Sequence, residues 1–185
     1  ESYTVGSNEF YVMYAMHQPK VLVTLDTGHY HPTEMVSAKL SAILAYKDSL
    51  LLHVSRPVRW DSDHVVALDD ETRAIMEELV RMNALERVHI ATDYFDASIN
   101  RIAAWVIGLR NTRRAMLEAL LQPVEQMKAL ERAGDNTARL AFVQEFKEQP
   151  AALVWDYYCA KQQAGVGLDW LAQVKQYERD VLARR

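Results

Sequence analysis

Three short apolar runs along the chain predict buried β-strands. They cover residues 21–25, 50–55 and 88–92 and consist mainly of Val, Ile and Leu. A run of this length is too short for an ordinary helix and is typical of a strand. Because apolar residues follow one another almost without polar interruption, we expect parallel strands that are covered on both faces.

An amphipathic helical pattern follows each of these runs. After the first run, apolar residues recur at helical spacing over 36–44, and after the second they recur over 75–80. After the third, 99–121 predicts a long helix that bends at Gly108 and is ended by Pro123. The repeated alternation of strand and helix predicts a parallel α/β sheet with right-handed crossovers.

The two ends of the chain depart from this alternation. Residues 8–17 predict a helix whose preceding strand would lie upstream of Glu1, whereas 123–185 contains only helical patterns. Three strands cannot close a barrel of eight, and an open sheet of three would leave apolar edges exposed. We therefore expect the back half of a larger fold, followed by a helical extension.

Composition and charge narrow the class of protein. Of the 185 residues, 50% are hydrophobic and 25% are charged, which is typical of a globular protein and disfavours disorder. The formal net charge is −4 and there is no long basic run, so we do not expect a nucleic-acid partner. No apolar stretch reaches the ~18 residues of a membrane span, and the single cysteine, Cys159, cannot form an internal disulfide. We expect no membrane association and a reduced, cytoplasmic compartment.

Candidate metal ligands follow each predicted strand. In parallel α/β folds, functional groups collect at the carboxyl ends of the strands. Imidazole and carboxylate side chains together suit a divalent cation such as Mn²⁺, with Zn²⁺ or Co²⁺ as alternatives. The residues in question are Asp26, His29 and His31 after the first run, His53, Asp61 and Asp63 around the end of the second, and Asp93 after the third.

Each of these residues also has a purely structural interpretation. Asp26 alone fits a helix cap or a turn, and His53 fits a hydrogen-bonded core histidine. His31 fits a turn before Pro32, and residues 61–63 fit an Asx turn. The occurrence of ligand types at three consecutive strand ends favours the metal site.

Arginine and tryptophan side chains near the second strand suggest a further role. Arg56, Arg59 and Trp60 could orient a polyol through guanidinium and indole groups. The two arginines could equally neutralise the neighbouring aspartates.

Three motifs at the strand ends closely resemble the L-rhamnose isomerase family. They are LDTGHYHPTE at 25–34, LLHVSRPVRWDSDHVV at 51–66 and DYFDASINRIAAW at 93–105. The similarity extends through 1–7 and through 154–159, so it covers essentially the whole chain.

The resemblance implies a fold, an assembly and an activity. The fold would be an α/β protein, part of a (β/α)₈ TIM barrel, with residues 1–122 as the C-terminal half of the barrel and 123–185 as a helical extension with oligomer contacts. The protein would be a homotetramer that interconverts L-rhamnose and L-rhamnulose by a metal-assisted hydride shift. It would use two divalent metals, usually Mn²⁺.

The resemblance also implies two ligand sets. The catalytic metal would be held by His29, Asp61 and Asp63. The structural metal, which anchors the substrate, would be held by Asp26, His53 and Asp93. The family also uses a Glu ligand and a nearby Lys from a strand that would precede Glu1.

Three residues are candidates for contact with the sugar. We expect Phe95 and Trp60 to form an apolar wall for the C6 methyl group, although simple packing would explain either residue. His31 is the third candidate for substrate binding.

Two other functions fit the same residues. One is a related metal-dependent sugar isomerase or epimerase on a similar barrel. The other is an inactive half-barrel that acts only in assembly.

Overall fold

The computed structural model describes residues 7–58 and 63–185, and within them the three predicted strands form one parallel sheet. The strands are β1 (Thr24–Asp26), β2 (Leu50–Val54) and β3 (Val88–Thr92), with β2 in the centre. The prediction of a parallel α/β sheet is confirmed. Strand β1 begins later than the apolar run and includes Asp26 as its last residue.

Four helices accompany the strands, and each lies where the sequence predicts one. They are α1 (Asn8–His17), α2 (Ser37–Leu44), α3 (Asp70–Arg81) and α4 (Arg101–Leu121). Side chains that precede two of the helices cap them. Ser7 accepts a hydrogen bond from the amide of Phe10, and Asp69 accepts one from the amide of Thr72.

The core of this part of the chain lies between the sheet and helices α2 and α3. These two helices pack against each other. Leu40 on α2 and Ile75 on α3 are fully buried, as are Leu50 and Leu52 on the central strand. Alternate residues of β2 are therefore buried, as expected where one face of a sheet covers a core.

The other face of the sheet is more open than the sequence predicts. Leu51 and His53 of β2 are half-buried, and His89, which lies opposite Leu51 on β3, is exposed. The prediction of strands covered on both faces is thus wrong for the residues that the structure describes. On this face the sheet carries Thr24, His53 and His89, polar side chains that do not require a second apolar layer.

Helix α4 continues through Gly108, where the sequence predicts a bend. A Cβ atom at this position would overlap the ring of Tyr94. The hydroxyl of Tyr94 donates a hydrogen bond to the carbonyl of Trp105, 3.1 Å away. Gly108 therefore allows a tyrosine ring to lie against the helix backbone.

The chain divides into two compact units, Glu1–Met116 and Leu117–Arg185. The second contains α5 (Val124–Arg132), α6 (Asn136–Lys147), α7 (Ala151–Lys161), α8 (Asp169–Asp180) and a 3₁₀ turn (Leu182–Arg184). The predicted helical character of this region is confirmed, and the division after residue 122 stays a prediction. Across both described stretches, no helix is long and apolar enough to cross a membrane.

Candidate metal centre

The parallel register brings three of the predicted ligands to one edge of the sheet. Asp26 ends β1 and lies opposite His53, the penultimate residue of β2. His53 in turn lies opposite Ala91 of β3, and Asp93 directly follows β3. Because parallel strands end at the same edge, residues far apart in sequence become neighbours here.

Asp26 lies close to the other candidate ligands at this edge, and its two carboxylate oxygens have different partners. Only 6% of the residue is exposed. Oδ1 accepts hydrogen bonds from the amide of Gly28 at 2.9 Å and from the hydroxyl of Ser55 at 3.3 Å. Oδ2 faces two imidazoles, with His53 Nδ1 at 3.2 Å and His29 Nε2 at 3.5 Å. One oxygen is therefore anchored to the protein, and the other points to the histidines.

Two groups of potential ligands share Asp26. The first is Asp26, His29 and Asp63, in which His29 Nε2 lies 3.7 Å from Asp63 Oδ1. The second is Asp26, His53 and Asp93, in which His53 Nδ1 lies 3.8 Å from Asp93 Oδ2. The resemblance assigns Asp26 to one metal only, whereas the geometry places it in both groups.

The spacing of these atoms suits a divalent cation. Oxygen and nitrogen ligands lie about 2.0–2.2 Å from a small divalent ion, so neighbouring ligand atoms are about 3–4 Å apart. Within each group, the ligand atoms all lie within 4.8 Å of one another. Mixed nitrogen and oxygen donors without a thiolate are the donor type of Mn²⁺, Co²⁺ and Zn²⁺ sites.

Asp63 reaches the site from a loop. The main chains of Arg56 and His64 form two hydrogen bonds with each other, of 2.9 and 3.2 Å, directly after Asp63. The carbonyl of Asp63 accepts a hydrogen bond from the amide of Phe95 at 3.1 Å. Burial and the nearby charge of Asp26 raise the pKa of the Asp63 carboxyl, against the opposing effect of His29.

Two residues that the sequence analysis did not select support the ligands. Thr27 and Ser55 are both buried and lie just beyond the ends of β1 and β2. The hydroxyl of Thr27 donates to the carbonyl of Ser55 and accepts from its amide, each at 2.7 Å. The available signal was their position, because Thr27 follows Asp26 directly and Ser55 lies two residues after His53.

The remaining predicted residues have different surroundings. His31 is exposed, and its Nδ1 hydrogen-bonds within the turn to the hydroxyl of Thr33 at 2.7 Å. The side chain of Phe95 is exposed, and Arg56 donates from Nε to the carbonyl of Val65. Asp61 and Trp60, with Arg59, lie outside the described residues.

Comparison with known proteins identifies the family. The family model described as L-rhamnose isomerase (RhaA) matches residues 1–185, the entire chain. The chain belongs to the L-rhamnose isomerase family. The resemblance that its strand-end motifs indicate is thereby confirmed.

Curated members of the family from enteric bacteria align along the full chain. L-rhamnose isomerase from Escherichia coli O1:K1 / APEC is 58% identical over 185 residues, and that from Salmonella paratyphi B is 57% identical over the same length. In both alignments the chain covers 44% of the relative. The chain thus spans less than half the length of these L-rhamnose isomerases.

Proposed function

We propose that the protein interconverts L-rhamnose and L-rhamnulose, and that this chain supplies most of the ligands for two divalent metals. The observation that carries the proposal is the pair of ligand groups that share Asp26, in a chain that matches the family over its whole length. The position of these ligands also supports the proposal, because functional groups of parallel α/β enzymes lie at the carboxyl ends of their strands.

The reaction transfers a hydride between two neighbouring carbons of the sugar and a proton between the oxygens on those carbons. The hydrogen on C2 passes with its electron pair to C1, while the proton of the O2 hydroxyl passes to O1. The C1 carbonyl becomes an alcohol and C2 becomes the new carbonyl, so no external oxidant or reductant is needed. A bound divalent metal supplies Lewis acidity, which stabilises negative charge on the sugar oxygens.

The residues of this chain have separate roles in that reaction. His29, Asp63 and Asp61 are proposed to hold the metal nearer the reacting carbons, and His53 and Asp93 the metal that anchors the sugar. Asp26 belongs to both groups of ligands. We propose that Asp61 and Asp63 also orient the water that carries the proton between the two oxygens.

The metal is proposed to be Mn²⁺, with Zn²⁺ or Co²⁺ as alternatives. The donor set supports this choice because each group combines one imidazole with two carboxylates. Imidazole donors make Mg²⁺ less suitable, and the lack of thiolate ligands among the described groups disfavours metals that need sulfur.

An apolar surface for the sugar's methyl group is part of the proposal. Phe95 is 66% exposed, while its amide donates a hydrogen bond to the carbonyl of Asp63. Its ring is therefore available near the ligand loop. We propose that Phe95 and Trp60 contact the C6 methyl, and that His31 contacts a hydroxyl.

The larger architecture is also proposed from the family. Strands in the order β1, β2, β3 with neighbouring helices packed together are the arrangement of successive units in a (β/α)₈ barrel. We propose that this chain forms the C-terminal half of such a barrel with a helical extension after residue 122, in a cytoplasmic homotetramer.

The experiment that tests the function measures ketose formation by the natural polypeptide that carries these 185 residues. The protein is stripped with a chelator and assayed with L-rhamnose, L-mannose and D-xylose, each with and without Mn²⁺. Turnover that depends on Mn²⁺ and is fastest with L-rhamnose supports the proposal. A preference for D-xylose would favour a related sugar isomerase. Folded, Mn²⁺-loaded protein without turnover would favour a role in assembly alone.

A further inference from the structure

We infer that Ser55 is a positioning residue that holds together two ligands of the first group, Asp26 and Asp63, and that Thr27 fixes Ser55 in place. This inference rests on the proposed metal-dependent function. It concerns residues that do not themselves belong to either ligand group.

The hydroxyl of Ser55 lies between two carboxylates from different parts of the chain. Its Oγ is 3.3 Å from Asp26 Oδ1 and 3.2 Å from Asp63 Oδ1. A serine hydroxyl has one hydrogen, and an ionised carboxylate can only accept. Both distances are longer than the ~2.5–2.7 Å of an unshared hydroxyl–carboxylate bond, as expected when one hydrogen serves two acceptors.

The backbone of Ser55 is held by a side chain from the neighbouring strand. The hydroxyl of Thr27 both accepts from the Ser55 amide and donates to its carbonyl, and the Thr27 amide donates to the carbonyl of His53 at 3.0 Å. Both residues are only 4% exposed. Thr27 thus extends the β1–β2 pairing beyond the last strand residues, so Ser55 has little freedom to move.

The two ligand groups depend on Ser55 to different extents. His53 and Asp93 lie at strand ends, where the sheet itself fixes their backbone. Asp63 lies on a loop, and Ser55 ties its carboxylate to Asp26. Loss of the Ser55 hydroxyl should therefore weaken the group with Asp63 more than the group with Asp93.

The test is a titration of metal-free protein with Mn²⁺ alone, in which free Mn²⁺ is followed by its electron paramagnetic resonance signal. Removal of a hydrogen-bond partner of a metal ligand typically lowers metal affinity about 10–100-fold. Ser55→Ala should therefore weaken one of two binding sites by at least ~10-fold and leave the other within a few-fold of its original affinity. Ser41→Ala, an exposed serine on helix α2, is the matched control and should change neither site.

A second pair of variants tests the role of Thr27 and covers the case in which Ser55→Ala fails to fold. Thr27→Val keeps the shape but lacks the hydroxyl, and should weaken the same Mn²⁺ site. Thr27→Ser keeps the hydroxyl and should therefore retain the Mn²⁺ affinity of that site. A general packing defect would lower the affinity in both variants. Circular dichroism checks that each variant is folded.

The outcomes separate this inference from the proposed function. Two normal Mn²⁺ sites in folded Ser55→Ala would overturn the role of Ser55 and leave the proposed function standing. Equal weakening of both sites in Ser55→Ala would overturn the inference that the site with Asp63 depends on Ser55 more than the site with Asp93 does. Thr27→Ser that binds Mn²⁺ as weakly as Thr27→Val would overturn the role of the hydroxyl. A parent protein that binds no Mn²⁺ would overturn both the inference and the proposed function.

Discussion

The ring of Tyr94 lies against the backbone of helix α4 at Gly108, and the Tyr94 hydroxyl donates a hydrogen bond to the carbonyl of Trp105. Tyr94 directly follows the candidate ligand Asp93. The contact thus ties the end of strand β3 to the long helix that follows it. The packing of Tyr94 therefore helps to fix the position of Asp93 at the edge of the sheet.

The first prediction concerns this contact. Alanine in place of glycine inside a helix normally stabilises it by about 0.5–1 kcal/mol. Gly108→Ala should instead destabilise the protein, because the new Cβ overlaps the Tyr94 ring and overpacking costs about 1–3 kcal/mol. Urea unfolding measures the change. The double variant Gly108→Ala/Tyr94→Ala should lose less stability than the two single variants together, and strict additivity would contradict the overlap.

The second prediction concerns the shared ligand. Asp26→Asn should weaken both Mn²⁺ sites, because Asp26 Oδ2 faces both His29 and His53. The matched control is Asp96→Asn, since Asp96 hydrogen-bonds to Ser98 and lies in neither ligand group. Isothermal titration with Mn²⁺ gives the affinities. Loss of one site alone in Asp26→Asn would show that Asp26 serves a single metal.

The third prediction separates the two sites by their histidines. His29→Ala should abolish turnover of L-rhamnose and weaken one Mn²⁺ site, because it removes the imidazole of the group that contains Asp63. His89→Ala removes an exposed imidazole from β3 and serves as the control. Steady-state kinetics and Mn²⁺ binding are measured on both variants. Full activity in His29→Ala would refute the assignment.

Much of the fold could be predicted from the hydrophobic pattern. Strand β3 and helix α1 have the predicted bounds, and the other strands and the helices of the first unit differ by a few residues at their ends. The pattern could not show that one face of the sheet is more open, because a residue such as Leu51 is equally apolar whether or not a second layer covers it. It also could not show the close contact of Gly108 with Tyr94, because a glycine in a helical pattern does not reveal which side chain lies against it.

The candidate ligands could be predicted because parallel strands place their carboxyl ends side by side. The sequence therefore indicated Asp26, His53 and Asp93 without knowledge of any distance. It could not indicate that Asp26 faces both histidines, which depends on the rotation of one carboxylate. Ser55 and Thr27 were missed because a hydroxyl beside a ligand has no pattern of its own in sequence.

The fourth prediction concerns Arg87, which supports the sheet at its opposite end. Its guanidinium donates to the carbonyls of Leu44 and Lys47, at 2.6 and 2.8 Å, and to that of Asp48 at 2.9 Å. Arg87→Ala should lower the free energy of unfolding by about 1–3 kcal/mol, because it leaves carbonyls at the C-terminal end of helix α2 and just after it without their donor. Urea unfolding measures the loss.

Two further variants decide whether Arg87 acts through these hydrogen bonds. Arg87→Lys should recover only part of the stability, because an ammonium lacks the planar fork of the guanidinium. Arg184→Ala, at an exposed position near the C-terminus, should have little effect. Equal stability of Arg87→Ala and the parent protein would show that these bonds contribute nothing.

The most direct test of the account is anomalous X-ray scattering from crystals of the protein loaded with Mn²⁺. We predict two Mn²⁺ peaks at the carboxyl edge of the sheet, one beside His29 and Asp63 and the other beside His53 and Asp93, with Asp26 close to both. Fully loaded protein with no Mn²⁺ peak at this edge, or with peaks only elsewhere, would contradict it.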